Sequence, residues 1–380
     1  SCPHCWHWPV SQTLQTLQCY RRAQRRRDCP TMGFFEDLTR PGSYFHLVKG
    51  GARLHPLETL LLMTAPLALL SGSTRSLCLA NAALQVAWFL PIVQLPALLT
   101  ERLSYVDIGW PWGLVLLAVI CMVQGDGYFY RRLLGCGCLL LHGGRMALGA
   151  TVLFFPYKFK EDLPRYQYAK VRFIKQDGMP PTLWWLKIQH DTLQQCFANC
   201  APLAAPFLLL ASNTTPTLAT LEIVGACLWL CSWGLESLAD VQMLLFRKSL
   251  AKDQCTTAVI GRAPFNTSRF FLWTLCRHPN YFFEWMCWNS FVLMAMPSLW
   301  ALDGSPLVKL GLGLTLFYTS RMFYDCLLYW TGAEPAEYFS AQKRAEYRKH
   351  QEEVRVFFPV EVPWVDHCRV AGWPAQQELK

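Results

Sequence analysis

The sequence predicts an all-α polytopic membrane protein, a bundle of about eight spanning helices. Three observations predict it. First, the 380 residues are 53% hydrophobic and only 16% charged, where a soluble domain carries about 25% charged residues. Second, apolar runs recur at lengths near the roughly 20 residues a spanning helix needs. Third, the net charge of +9 is confined to polar stretches between those runs, as cytoplasmic or equivalent loops would have it. Sixteen tryptophans and 24 prolines agree, because Trp gathers at bilayer interfaces and Pro is tolerated in buried spans. The charge distribution argues against a nucleic-acid partner.

Residues 1–56 form a polar N-terminal segment with the basic run Arg21–Arg27, a pattern typical of a solvated or membrane-surface face. The chain opens on Ser1, which reads as a processed or incomplete product, and no secretory signal is visible. Spans are predicted at 57–72, 77–100, 106–124 and 133–155, the first of them short. A basic, aromatic loop follows, with Lys158, Lys160, Arg165, Tyr166, Lys170, Arg172 and Lys175. Further spans are predicted at 193–211, 217–246, 282–300 and 306–330, so that residues 57–330 make one membrane domain. A polar C-terminal segment, 331–380, carries Lys343, Arg344, Arg348, Lys349 and Arg355. With an even number of spans between them, the basic segments all fall on one side. Arg131 and Arg132 fall on the other.

Seventeen cysteines suggest a disulfide framework until they are placed. Cys121, Cys136, Cys138, Cys196, Cys200, Cys227, Cys231 and Cys287 lie inside apolar runs, where free Cys acts as a small buried hydrophobe. Cys2, Cys5 and His7 lack a matching second half, and no metal site is read from the sequence.

Ionisable groups inside spans are costly and mark function. Glu236 and Asp240 are four residues apart, and Arg247 lies close to three turns beyond Glu236, so all three share a helix face. Two carboxylates beside an Arg offer acceptors for ribose hydroxyls and a forked donor for phosphate. The stretch Cys276–Glu284 sets Arg277 and His278 before Pro279, a residue suited to the first position of a helix. Asn280 and Glu284 then share a face, and Arg277 and His278 sit at a helix N-terminus that already favours an anion. His142 and Arg145 predict a polar contact within the fourth span. Arg321 and Asp325, again four apart, predict an internal ion pair, and Asp107 reads as a helix cap.

The run Arg277–His278–Pro279–Asn280–Tyr281–Phe282–Phe283–Glu284 resembles the signature of the steroid 5-alpha-reductase superfamily, in its uncharacterised membrane branch. Leu235–Gln242, with its Glu236, Ala239, Asp240 and Gln242, resembles that branch's upstream helix. Glu161–Tyr166 and Tyr347–Arg348 with Phe357–Phe358–Pro359 match in order and spacing, so the resemblance covers residues 100 to 364. It implies a helix bundle that binds NADPH and opens toward one face. It places Asn280 and Glu284 at the nicotinamide end and Glu236, Asp240 and Arg247 at the nucleotide. It sets Tyr347 and Arg348 of the C-terminal segment over the cofactor. The implied chemistry is NADPH-dependent reduction of a conjugated C=C bond in a lipid or sterol-like substrate. Two departures are visible. Phe283 stands where the family has Gly, and the turn Asn266–Trp273 lacks the family's Gly. Both imply that NADPH binding is altered, weakened or lost. The Glu/Tyr pair that handles the carbonyl in the steroid reductases has no counterpart.

Two other readings compete. One is a non-catalytic subunit of a larger membrane complex, suited by the basic N-terminal segment and by Phe283. The other is a membrane methyltransferase of the isoprenylcysteine type, which shares the Arg–His–Pro motif but not the upstream helix. The family's usual home implies the endoplasmic reticulum, while the Arg-rich N-terminal part equally suits the mitochondrial inner membrane.

Overall fold

The computed structural model describes Leu61 and residues 64–157, 160–176, 180–253 and 257–361. The basic run Arg21–Arg27 and the Cys2, Cys5, His7 group lie outside them, as do residues 57–60, 62 and 63 of the first predicted span. The described part of that span is a short 3-10 turn, Ala65–Leu69. Among the described residues there is no strand.

Among the described residues, five helical segments are long and apolar enough to cross a membrane: Gly72–Thr100, Leu103–Gln124, Phe129–Phe154, Pro181–Ser212 and Thr220–Leu250. We label the helices α1 (Gly72–Phe89), α2 (Val106–Gln124), α3 (Phe129–Tyr157), α4 (Pro164–Val171), α5 (Trp184–Cys200), α6 (Ala205–Ser212) and α7 (Thr220–Asp253). After them come α8 (Pro279–Ala301), α9 (Pro306–Asp325), α10 (Ala333–Lys343) and α11 (Ala345–Glu353). The helices α8 and α9 have 23 and 20 residues and pack into the same bundle, though Asn280, Glu284 and Asn289 in one and Lys309 and Arg321 in the other make them less apolar. α8 packs along α7, α6 and α9, and α2 along α3. Close approach of α7 and α8 requires Gly225, where a Cβ would lie 2.5 Å from Met294 Cγ.

Prolines decide where the helices depart from ideal geometry. Pro91 supplies no N–H, and α1 continues through a π turn, Leu90–Gln94, into Leu95–Thr100. Pro111 lies inside α2, and the carbonyls around it are met by side chains from other helices. Asn199 Nδ2 donates to Trp110 O at 3.1 Å and Gln85 Nε2 to Gly113 O at 2.8 Å, while Asn81 Nδ2 donates to Asn199 O at 3.1 Å. All three amides are fully buried. This satisfies backbone groups that would be costly to leave unpaired in hydrocarbon. Gly113 makes room for them, since a Cβ there would sit 2.2 Å from Asn199 Nδ2 and 2.5 Å from Gln85 Oε1. Gly113→Ala is therefore expected to destabilise the bundle by roughly 1–3 kcal/mol, read as a lowered unfolding temperature in detergent. An unchanged midpoint would show that the amide trio yields without cost.

The basic segments among the described residues meet at one end of the bundle. Tyr168 of α4 donates its hydroxyl proton to Glu334 of α10, Arg172 reaches Tyr329 O, and Arg262 pairs with Glu353 at 2.9 Å. Asp107 is not a cap: Arg165 and Tyr166 donate to its two oxygens at 2.7 and 2.5 Å, tying α2 to the start of α4. At the opposite end lie Arg131 and Arg132, and their charges are spent internally. Arg131 is buried against Glu222 and donates to Asn213 O and Thr215 O, both at 2.8 Å, and to Thr217 O. Arg132 donates to Gly127 O at 2.9 Å and Met122 O at 2.6 Å. Arg321 and Asp325 form the expected internal pair, at 2.6 and 2.7 Å.

Candidate functional site

Three helices bring polar side chains together inside the bundle. α8 presents Asn280, Glu284, Cys287 and Trp288 along one stripe, α7 presents Glu236 and Asp240, and α3 presents His142 and Arg145. Each set keeps the three- and four-residue spacing that puts side chains on one helical face. Arg145 forks between the two carboxylates of α7: one amino group binds Glu236 Oε1 and the other meets Asp240 Oδ2 at 2.9 Å. Asn280 Nδ2 donates to Asp240 Oδ1 at 3.1 Å. Deeper in, His142 Nε2 lies 3.2 Å from Glu284 Oε1, which also accepts from Trp288 Nε1 at 3.0 Å. Cys287 Sγ is 3.8 Å from Glu236 Oε2.

The cluster is graded from wet to dry. The Asp240 side chain is 48% exposed and that of Arg145 24%, whereas His142 is fully buried and Glu236 and Glu284 nearly so. Aromatic rings close the deep side. Trp288 and Phe291 meet the His142 ring edge-on, and Phe323 stacks on Trp288 with centroids 4.3 Å apart. Four buried polar atoms here have no hydrogen-bond partner among the described residues: His142 Nδ1, Arg145 Nε, Asn280 Oδ1 and Glu284 Oε2. Buried polar groups are nearly always satisfied, and four on neighbouring residues single this cluster out as the candidate site.

The structure divides the sequence-predicted residues. Glu236, Asp240, Asn280 and Glu284 converge. The guanidinium that meets Glu236 and Asp240 is Arg145's and not Arg247's. Arg247 sits about two turns further along α7, exposed, with no ion pair among the described residues. Arg277 and His278 belong to a separate knot. Arg277 Nε donates to Glu337 Oε1 at 2.6 Å, and His278 Nε2 lies 2.8 Å from the same oxygen. Backbone bonds from Arg277 N to Arg355 O and from His278 N to Val356 O hold the C-terminal strap beside them. The anion this basic pair meets is thus the chain's own carboxylate. Burial opposes the charge on Glu337, but Arg277 and His278 outweigh it and its pKa falls to about 2. Tyr347, half-buried on α11, has its ring 5.9 Å from His350, and Arg348 is exposed, its Nε donating to Ala341 O at 3.2 Å. Phe283 packs with the apolar group of Ala239, Phe246, Phe270 and Trp273.

Sequence reasoning expected only a polar contact of His142 and Arg145, which they make with Glu284, Glu236 and Asp240, and it passed over Glu337. The first two carried a signal, being ionisable residues inside an apolar run. Glu337 carried none, as one acid in a polar tail.

The family described as "Protein of unknown function (DUF1295)" matches residues 95–354. That span contains every side chain of both the polar cluster and the Arg277–Glu337 knot. No curated protein matches the chain, and no solved structure does.

Proposed function

Because the chain belongs to the DUF1295 family, whose members' function that description leaves open, we propose the activity implied by its likeness to the steroid 5-alpha-reductase superfamily. On this reading it is an integral membrane oxidoreductase that uses NADPH to reduce a C=C bond conjugated to a carbonyl in a lipid or sterol-like substrate. The observation that carries the reading is the set of four unsatisfied atoms on α3 and α8. A nicotinamide carboxamide offers two N–H donors and one carbonyl acceptor. Asn280 Oδ1 and Glu284 Oε2 are acceptors, and Arg145 Nε is a donor, so the residues present fit that end of the cofactor.

When bound, NADPH supplies a hydride. The chain's own part is to position, to exclude water and to admit a proton. Asn280 and Glu284 orient the ring end, their side chains fixed by Asp240 and by His142 and Trp288. The aromatic wall of Trp288, Phe291 and Phe323 keeps the deep side dry, which strengthens every electrostatic contact inside. The half-exposed Asp240 is the end through which a proton reaches the cluster. For the 2′-phosphate the exposed Arg247 and Arg348 are the cations left in the predicted set, since Arg277 and His278 are held by Glu337, and Arg247 shares α7 with Glu236 and Asp240. Arg247→Ala is expected to weaken NADPH binding about tenfold, the loss of one charge-assisted hydrogen bond, and to leave NADH binding unchanged. Equal loss for both nucleotides would remove Arg247 from the phosphate site.

One observation favours a second reading, a non-catalytic subunit of a larger membrane complex. Both members of the signature's basic pair are internally neutralised, which is what a retained fold with no anionic ligand would show. The full chain in lipid nanodiscs separates the two. NADPH binding with oxidation dependent on an α,β-unsaturated lipid supports the reductase; failure to bind NADPH sinks it. Fractionation of endoplasmic reticulum from mitochondrial inner membrane distinguishes the two proposed locations.

A further inference from the structure

At the deep side of the cluster a nitrogen of His142, an oxygen of Glu236 and Cys287 Sγ all lie within 4.8 Å of one another. They come from α3, α7 and α8, and all three residues are buried. His142 Nε2 faces Glu284 Oε1 at 3.2 Å, and the second nitrogen, Nδ1, is buried without a partner among the described residues. A histidine held through one nitrogen by a carboxylate, with the other left free, is the arrangement that orients metal-binding imidazoles. The charges point the same way. Glu236 and Asp240 share the single guanidinium of Arg145, and Glu284 has the His142 imidazole as its partner, so carboxylates outnumber the guanidinium in a largely buried cluster, which a low-dielectric interior penalises.

We propose that His142, Glu236 and Cys287 form a binding site for a divalent transition metal, with zinc the best match. A set of one nitrogen, one oxygen and one sulfur suits zinc and disfavours calcium and magnesium, which take oxygen ligands. Ligand bonds of about 2.0–2.3 Å in a tetrahedron require the three atoms to draw together by roughly 1 Å, within reach of side-chain rotation. On binding, Cys287 forms an S–metal bond and its thiol proton leaves to solvent. Glu284 and Arg145 become the outer partners of His142 and Glu236. Three protein ligands leave a fourth position open, as in zinc sites that do chemistry. Resting on the reductase reading, that position would take the substrate's carbonyl oxygen and polarise it, the task for which this chain has no Glu/Tyr pair. Metal binding itself does not depend on that reading.

The test uses the full chain, purified in detergent without chelator, loaded with Zn2+ alone and desalted. About one zinc per chain is expected for the parent and for Cys231→Ser, which alters an exposed cysteine outside the cluster. At least a tenfold loss is expected in His142→Ala and Cys287→Ser. A parent that retains no zinc, or a Cys287→Ser variant that retains the parent's content, overturns the site. If the variants do not fold, Co2+ binding to the parent decides. A thiolate-to-cobalt charge-transfer band supports the site, and Co2+ uptake without the band overturns it. A chain that binds zinc but not NADPH keeps the metal and loses the reductase. Undiminished lipid-dependent NADPH oxidation after complete metal removal overturns the carbonyl-polarising role.

Discussion

Glu337→Ala is expected to destabilise the protein by about 3–5 kcal/mol, because it leaves a buried guanidinium without its counter-charge. The side chains of Arg277 and Glu337 are 1% and 0% exposed, so water cannot substitute. Gln351 Nε2 also donates to Glu337, at 2.7 Å, and Arg277 holds Gln351 O at 2.9 Å. The substitution should therefore free α11 and the strap 354–358 together. Lys349→Ala, which breaks an exposed pair with Glu346, is the control and should change stability by less than about 1 kcal/mol. Equal unfolding midpoints for the two variants in detergent would show that the knot contributes nothing. The same knot predicts an acid limb. His350 is held down to about 4, by burial first and then by Arg277 and Arg262. Its unfolded form binds a proton that its folded form refuses between pH 6.5 and about 4. Glu337 does the same between pH 4.5 and about 2. Stability should thus fall as pH drops through both windows, and Glu337→Gln should flatten only the lower one.

Glu284→Gln is expected to lower kcat/KM for NADPH-dependent lipid reduction by about 100-fold while the unfolding midpoint moves little. The amide keeps an oxygen toward His142 and Trp288 but replaces the free carboxylate oxygen with an N–H2 group. Two donors would then face the carboxamide, and the ring end would sit out of line. Asn280→Ala should act similarly through the loss of its free oxygen, with an added effect on Asp240, whose hydrogen bond it supplies. A fall no larger than that of Arg348→Ala, on an exposed residue bonded to its own segment, would move the nicotinamide end away from α8.

The bilayer is what made the fold legible. Hydrocarbon demands long apolar runs, and those runs were in the sequence, with ends within four residues of α2 and α3 and within seven of α7. The stretch read as a span at 193–211 was less so. It begins at Pro181 and breaks at Ala201–Ala204 between α5 and α6, because Lys187, His190 and Asp191 disguise its first turns. The site was half legible. Spacing fixes which residues share a face, and so Glu236 with Asp240 and Asn280 with Glu284 were found. It does not fix which neighbouring helix a face meets. Spacing alone names Arg247 as the partner of Glu236 and Asp240, and α3 lying against α7 supplies Arg145 instead. Arg277 and His278 looked free because their partner, Glu337, lies in a tail whose path no local pattern encodes.

The Arg131 contacts bear on how the chain is made. Synthesis delivers α3 well before Glu222, so a ribosome-bound intermediate holds a guanidinium at a helix end with no carboxylate to receive it. Until residues 213–222 arrive, Arg131 lacks these partners and has the Tyr128 ring, 5.9 Å away, with lipid phosphates and water. The arrival of α7 then supplies in one event the carboxylate and the carbonyls of Asn213, Thr215 and Thr217. The contacts that hold Arg131 are therefore completed late, by a segment translated after it.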